Sequence, residues 1–286
     1  MPMGYLNWWV FGSSLLLLFS CRPEDKKEGH KASDFAASEI ELGRKLFFFN
    51  GLSGDSSQSC GSCHLPQSGF ASGRLVFSNG VKRNVPGLLN LKNSPRFFWD
   101  GREKNLESLV IKPILNRDEM QGNLVAAIQK MNRDSHWKTA FKEVYGKDTI
   151  YTALISRSLA AYVKSLSGPA PVEYPDSAFR EGKKIFQIHC RSCHSGPAFT
   201  DFALRRSVVA AGGPDSGHFR LSRLKKDIYS FKTPGLSFIS RTSPYTHDGR
   251  FPDLESIVAA YSAIPGFARL KNEKARKVLI SYLKTL

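Results

Sequence analysis

Cysteine is scarce in this chain, and where it occurs excludes a disulfide-stapled fold. Of five cysteines in 286 residues, Cys21 lies in an apolar N-terminal segment. The other four belong to CGSCH at 60–64 and CRSCH at 190–194, so none is left for a structural disulfide. Methionine is equally sparse: after the first few residues only Met120 and Met131 occur, and none follows residue 131. Strand signal is confined to short runs near Leu75–Phe77 and Val208–Val209, too little for a sheet-based class. Acidic residues are in deficit, 25 Asp and Glu against 41 Lys and Arg, for a formal charge of +16. That charge suits an anionic membrane surface or an acidic protein, or simply keeps a tethered protein soluble.

Long apolar runs are absent except for one. Tyr5 to Phe19 carries no charge, and its core, Trp8–Phe19, has the length of an export signal rather than of a bilayer span. No basic residue precedes it. Leu18-Phe19-Ser20-Cys21 resembles a bacterial lipoprotein cleavage box. Residues 1–20 are therefore expected to be a signal peptide, Cys21 the lipidated terminus, and 21–37 a charged tether holding the protein on the periplasmic side of a membrane. A soluble periplasmic form and a retained anchor are the alternatives. Export argues against a nucleic-acid partner.

A repeated Cys-x-x-Cys-His motif admits thiol exchange, zinc or covalent haem. Thiol exchange needs a βαβ setting, which neither copy has. A four-cysteine zinc site leaves both histidines unexplained. Covalent haem uses every residue: two thiols add to the vinyl groups and the histidine binds iron. Cys60, Cys63 and His64 are thus expected to hold haem 1, and Cys190, Cys193 and His194 haem 2. GRKLF at 43–47 and GKKIF at 182–186 precede the two motifs alike, with Leu46/Phe47 and Ile185/Phe186 facing a core. The fold class that follows is mainly α: two tandem cytochrome c-like domains, 38–167 and 176–286, joined by the linker GPAPVEYP at 168–175, with the haems facing the interface. Helical periodicity is readable at 106–115, 123–131, 135–145, 149–166, 253–264 and 273–286.

RNVP (83–86), FFWDGR (97–102), NRDEM (116–120), FKTPGL (231–236) and TSPYTHDGR (242–250) resemble motifs of the bacterial dihaem cytochrome c peroxidases, a family that includes the dihaem enzymes maturing tryptophan tryptophylquinone. The likeness runs from about residue 38 to the C-terminus. It implies Trp99 as a relay between haems and Glu119 as the acid/base acting on peroxide beside haem 1. Core packing is the plainer role for Trp99, and a helix-start carboxylate the plainer role for Glu119. The resemblance further implies a calcium ion held by the Asn84 side chain and the Thr242 and Pro244 carbonyls, a histidine, His247, near haem 2, and arginines of the two Asp-Gly-Arg segments near haem propionates.

Three departures from the family pattern follow. Val76 stands where activation-dependent members have an iron-capping histidine, so haem 1 is expected to keep an open face. Leu109 replaces a glutamine, which dries the surroundings of Glu119 and raises its pKa. Tyr261 stands where methionine usually ligates haem 2, as in the quinone-maturing branch. Tyrosinate would lower that haem's potential, whereas an aromatic on an apolar helix face is the plainer alternative. The expected function is reduction of hydrogen peroxide to water with electrons from a small donor protein such as a cytochrome c. The alternatives are a dihaem oxidase acting on a protein substrate and a non-catalytic carrier or sensor. A homodimer is left open.

Overall fold

A computed structural model describes residues 1, 4, 25–78, 80–209 and 211–286; the signal-peptide and lipidation readings, Cys21 included, lie outside the described residues. The chain runs α1 (Asp25–Phe47), α2 (Cys60–Cys63), a β1 (Leu75–Ser78)–β2 (Val81–Asn84) hairpin, α3 (Leu106–Leu115), α4 (Leu124–Arg133), α5 (Ser135–Tyr145) and α6 (Thr152–Ser165). After an irregular stretch come α7 (Ser177–His189), β3 (Leu204–Arg206), α8 (Phe219–Ser222), β4 (Ser230–Lys232), α9 (Leu254–Tyr261) and α10 (Glu273–Leu283). Both sheets are two-stranded and antiparallel, β1 with β2 and β3 with β4. The fold is mainly helical, as the sequence implies, and among the described residues no helix is long and apolar enough to cross a membrane.

Local sequence explains most helix starts. Asn105, Asn123, Asp134, Asp176, Asp253 and Asn272 each accept an N–H from the first turn of the helix they precede, satisfying donors that the helix cannot. Two apolar clusters form. One gathers α1 and α3–α6 around Leu46, Phe141, Ile155 and Leu159; the other gathers α7, α9 and α10 around Ile185, Leu270 and Leu279.

The two clusters are built on the same crossing. A Cβ at Gly43 of α1 would lie 1.9 Å from the Ser158 carbonyl oxygen of α6, and one at Gly182 of α7 would lie 2.2 Å from that of Val278 of α10. Only glycine lets these backbones approach so closely. Four residues on, Phe47 meets Tyr162 and Phe186 meets Tyr282, with ring centroids 5.2 Å apart in both. The first half adds α4 and α5, which the second half lacks among the described residues.

Two details differ from expectation. The segment read as a tether is part of α1 from Asp25 onward, because after Pro23 it is rich in good helix formers and contains no further proline. The second strand lies at Leu204–Arg206 rather than at Val208–Val209; three residues are too few to carry a period.

Glu103 secures the start of α3, accepting from the Lys104 and Asn105 N–H groups, the Ser108 hydroxyl and the Lys112 ammonium. Burial opposes its charge, but these donors outweigh burial and bring its pKa down to about 2 from 4.5. A lowered carboxylate pKa adds stability above the unfolded value that is lost as pH falls through the folded one. The wild-type thermal midpoint is therefore expected to drop more steeply than that of Glu103→Gln between pH 4.5 and about 2; parallel curves would show that Glu103 contributes nothing there.

Candidate active site

A single cavity of about 850 Å³ is lined by both Cys-x-x-Cys-His motifs together with Trp99, Glu119, His247 and Tyr261. Residues far apart in sequence thus face one space between the two halves.

Each motif histidine is held the same way. His64 Nδ1 donates to the Phe70 carbonyl at 2.7 Å, and His194 Nδ1 donates to that of Phe199 at 3.0 Å. That bond fixes the tautomer and leaves the lone pair on Nε2 for a metal. Burial lowers the pKa of both rings, with the nearby carbonyls opposing it, so both are neutral donors. Burial pushes the thiols of Cys60 and Cys190 up to about 12. Thiols so raised are unsuited to exchange chemistry. Among the described residues no three His, Cys, Asp or Glu gather as a metal site. Two separate motifs with neutral imidazoles facing a shared apolar cavity fit two covalent haems.

Glu119 sits in the turn between α3 and α4. It does not cap α4, since Asn123 does. The Asn116 amide donates to Glu119 Oε1 at 2.7 Å, and Gln58, just before Cys60, donates to the Glu119 carbonyl at 2.7 Å. Burial raises its pKa, partly offset by Asn116 and by the charge of Arg102. Leu109 and Val76 line the same cavity. β1 alternates, with Val76 inward and Leu75 and Phe77 exposed, so position 76 faces the cavity without offering a ligand atom.

Trp99 is held by both halves. Its indole N–H donates to the Asn84 carbonyl at 2.7 Å, and its own carbonyl accepts the Lys232 N–H at 2.7 Å. Behind it lies a buried ion cluster. Arg83 grips Asp215 with Nε at 2.7 Å and Nη2 at 3.0 Å, and reaches Asp100 with Nη1 at 2.7 Å. Arg102 also donates to Asp100 at 3.0 Å and lies 3.5 Å over the Phe98 ring. Both Asp-Gly-Arg arginines thus pair with the aspartates of their own segments, Arg102 with Asp100 and Arg250 with Asp248.

The residues expected to bind calcium are partly brought together. Asn84 Nδ2 donates to the Pro244 carbonyl at 2.5 Å and that of Thr246 at 3.3 Å, while Asn84 Oδ1 is buried without a partner. An amide turned by half a revolution keeps its shape and points oxygen at those carbonyls, an all-oxygen set suited to a hard cation. Thr242 lies on the same loop, where its hydroxyl donates to the Ile239 carbonyl.

Tyr261 ends α9 and packs on Phe267 at 5.1 Å. Burial first, then the Cys190 and Cys193 thiols, push its phenol up to about 12, which puts it beside the second motif. His247 is buried and stacks on Phe231, with ring centroids 3.8 Å apart. Met120 lines the cavity and Met131 is packed in the first core.

Sequence reasoning missed Asp215, Asn116, Gln58 and Lys232. For Lys232 a signal existed: NVPGL at 84–88 and KTPGL at 232–236 are parallel.

A cavity lined by two haem-attachment motifs defines a class, the di-haem c-type cytochromes. The family pattern described as di-haem cytochrome c peroxidase matches residues 37–181, and the chain belongs to that family of oxidoreductases acting on peroxide. It is 30% identical over 284 residues to the methylamine utilization protein MauG of Methylorubrum extorquens, covering 90% of this chain and 80% of that one. It is 29% identical to cytochrome c551 peroxidase of Nitrosomonas europaea, covering 87% and 80%. Among solved structures, a MauG-like protein associated with microbial copper homeostasis overlays with a TM-score of 0.75 at 23% identity, over 87% of this chain and 89% of that one. The diheme peroxidase BthA of Burkholderia thailandensis overlays with 0.72 at 20%, over 87% and 85%. These overlays bear on the fold.

Proposed function

We propose that the chain is a dihaem peroxidase that converts hydrogen peroxide to two waters, taking two electrons from a small donor protein such as a cytochrome c and two protons from solvent. The observation that carries this is the shared cavity in which Glu119 and Trp99 lie with both Cys-x-x-Cys-His motifs. Residues 38–167 would hold one haem through Cys60, Cys63 and His64, and 176–286 the other through Cys190, Cys193 and His194. When bound, the haems supply a landing site for peroxide and a store for its oxidising equivalents.

Glu119 takes a proton from the nearer peroxide oxygen and returns it to the leaving one, which heterolytic O–O cleavage requires. Its raised pKa suits both roles, and Asn116 orients the carboxyl. Val76 offers no donor atom, so it cannot compete with peroxide for the first iron. Trp99, pinned from both sides, keeps a rigid aromatic in the path between the two centres. A calcium at Asn84, Pro244 and Thr242 would tie the halves together beside it. We further propose a periplasmic location with a lipid anchor at Cys21. Rapid H2O2 consumption with reduced cytochrome c tests the peroxidase reading; no consumption by fully haem-loaded protein refutes it.

Tyr261 favours a second reading, oxidation of a protein side chain, as does the likeness to proteins named MauG. A phenolate on haem 2 lowers its potential and discourages simple electron entry. Tyr261→Met is expected to raise the potential of one haem and to increase donor-driven peroxide turnover. The peroxide-treated wild type would instead give a stable two-electron-oxidised form quenched by a tryptophan-bearing protein. Unchanged potentials in Tyr261→Met would remove Tyr261 as a ligand.

A further inference from the structure

Two crossed hydrogen bonds relate Asn84 to Lys232. The Asn84 N–H donates to the His247 carbonyl and the Lys232 N–H donates to the Trp99 carbonyl, both at 2.7 Å. Each donor opens an x-x-Pro-Gly-Leu segment, and each acceptor opens an Asp-Gly-Arg turn whose glycine has φ 67° in one and 66° in the other. Phe97 bridges Glu103 across the first turn as Tyr245 bridges Phe251 across the second. Lys232 therefore occupies in the second repeat the position that Asn84 occupies in the first.

The two side chains differ in charge. Asn84 is neutral, with a buried oxygen lacking a partner, and is suited to a bound cation. Lys232 carries its own cation. It lines the cavity, with Nζ 5.6 Å from the centroid of the Phe202 ring. Among the described residues its ammonium pairs with no carboxylate, because the neighbouring acids are engaged elsewhere: Asp100 with Arg83 and Arg102, Asp201 with Arg205. Desolvation alone brings its pKa down to about 8. Lys232 is half-buried, and an ammonium drawn partly out of water without a counter-ion favours an anion beside it. A c-type haem carries two propionate carboxylates. Phe202 belongs to the loop that follows His194, and the Asp201 N–H donates to the Cys193 carbonyl at 2.9 Å, which puts Lys232 on the side of the second motif.

We infer that the Lys232 ammonium pairs with a propionate of the haem attached through Cys190 and Cys193, supplying as a side chain the positive charge that the first repeat takes from a bound cation. The pairing rests on the haem-bearing reading of the chain. A positive charge beside a haem favours its reduced state, so Lys232 raises the potential of haem 2 against the lowering by Tyr261.

The test uses full-length holoprotein, wild type, Lys232→Met and Lys232→Arg, with haem content measured by pyridine haemochrome before spectroelectrochemical titration. Lys232→Met is expected to shift the ferric/ferrous ratio of one haem about tenfold toward ferric at fixed applied potential, about 59 mV for a one-electron couple. The haem that moves should be the one that Tyr261→Met also moves, and Lys232→Arg should keep the wild-type ratio. Unchanged potentials in a fully loaded Lys232→Met protein overturn the inference, as does an equal shift in Lys232→Arg. If Lys232→Met does not accumulate, a crystal structure of the wild-type holoprotein decides. A propionate oxygen within about 3.2 Å of Nζ supports the pairing, and one beyond bonding distance overturns it. Wild type lacking covalent haem would instead be a failure of the haem reading, visible before Lys232 is altered.

Discussion

Glu119→Gln is expected to lower peroxide turnover by about 10²–10⁴-fold, the range that a positioned general acid–base contributes. Glutamine keeps the size and can still face Asn116, but it neither accepts the peroxide proton nor returns it. The variant should bind both haems normally, because Glu119 touches neither cysteine pair through any bond that holds them. The pH profile carries a second signature. Glu119 must begin as a carboxylate, and burial raises its pKa above the ordinary value. The rate should therefore rise with pH through that raised pKa, and Glu119→Gln should lack this acidic limb. A variant that turns over within about twofold of wild type would remove Glu119 from the chemistry.

Arg83→Met is expected to cost about 3–5 kcal/mol of stability, since it leaves buried carboxylates without their partner. Asp100 keeps Arg102, but among the described residues Asp215 forms an ion pair with Arg83 alone. Burial opposes the Asp215 charge; the two bonds from Arg83 overcome it and lower the pKa. The double variant Arg83→Met/Asp215→Leu removes the stranded charge along with its partner and should regain part of the loss. Urea unfolding at matched haem content measures both. A single-variant loss under about 1 kcal/mol would show that the cluster is solvated. Because Arg83 adjoins Asn84, and Asp100 adjoins Trp99, the same variant should loosen the contact on which the two halves meet.

The helices were legible wherever burial imposes a period. The expected bounds 106–115 and 135–145 are those of α3 and α5, because amphipathic faces and capping residues are local. β3 was misplaced and the reach of α1 was missed, since neither a three-residue strand nor the exposed stretch of α1 at 32–38 has a buried face to announce it. At the site, Leu109 marked the loss of one amide near Glu119, but not that Asn116 supplies another from within the turn. Asp215 has nothing beside it in sequence to mark it, and the fold sets it against Arg83, 132 positions away.

Haem attachment is a matter of neighbouring residues. Two thiols and an imidazole must stand within one short turn, so sequence alone points to where each haem would be attached, and it leaves no cysteine for a structural disulfide and no methionine after residue 131. Only the tertiary structure decided what surrounds those motifs. It set Glu119 in a turn, Trp99 across two strands and Lys232 opposite no acid among the described residues. Those relations depend on where distant segments return, and on which charges burial leaves without a counterpart.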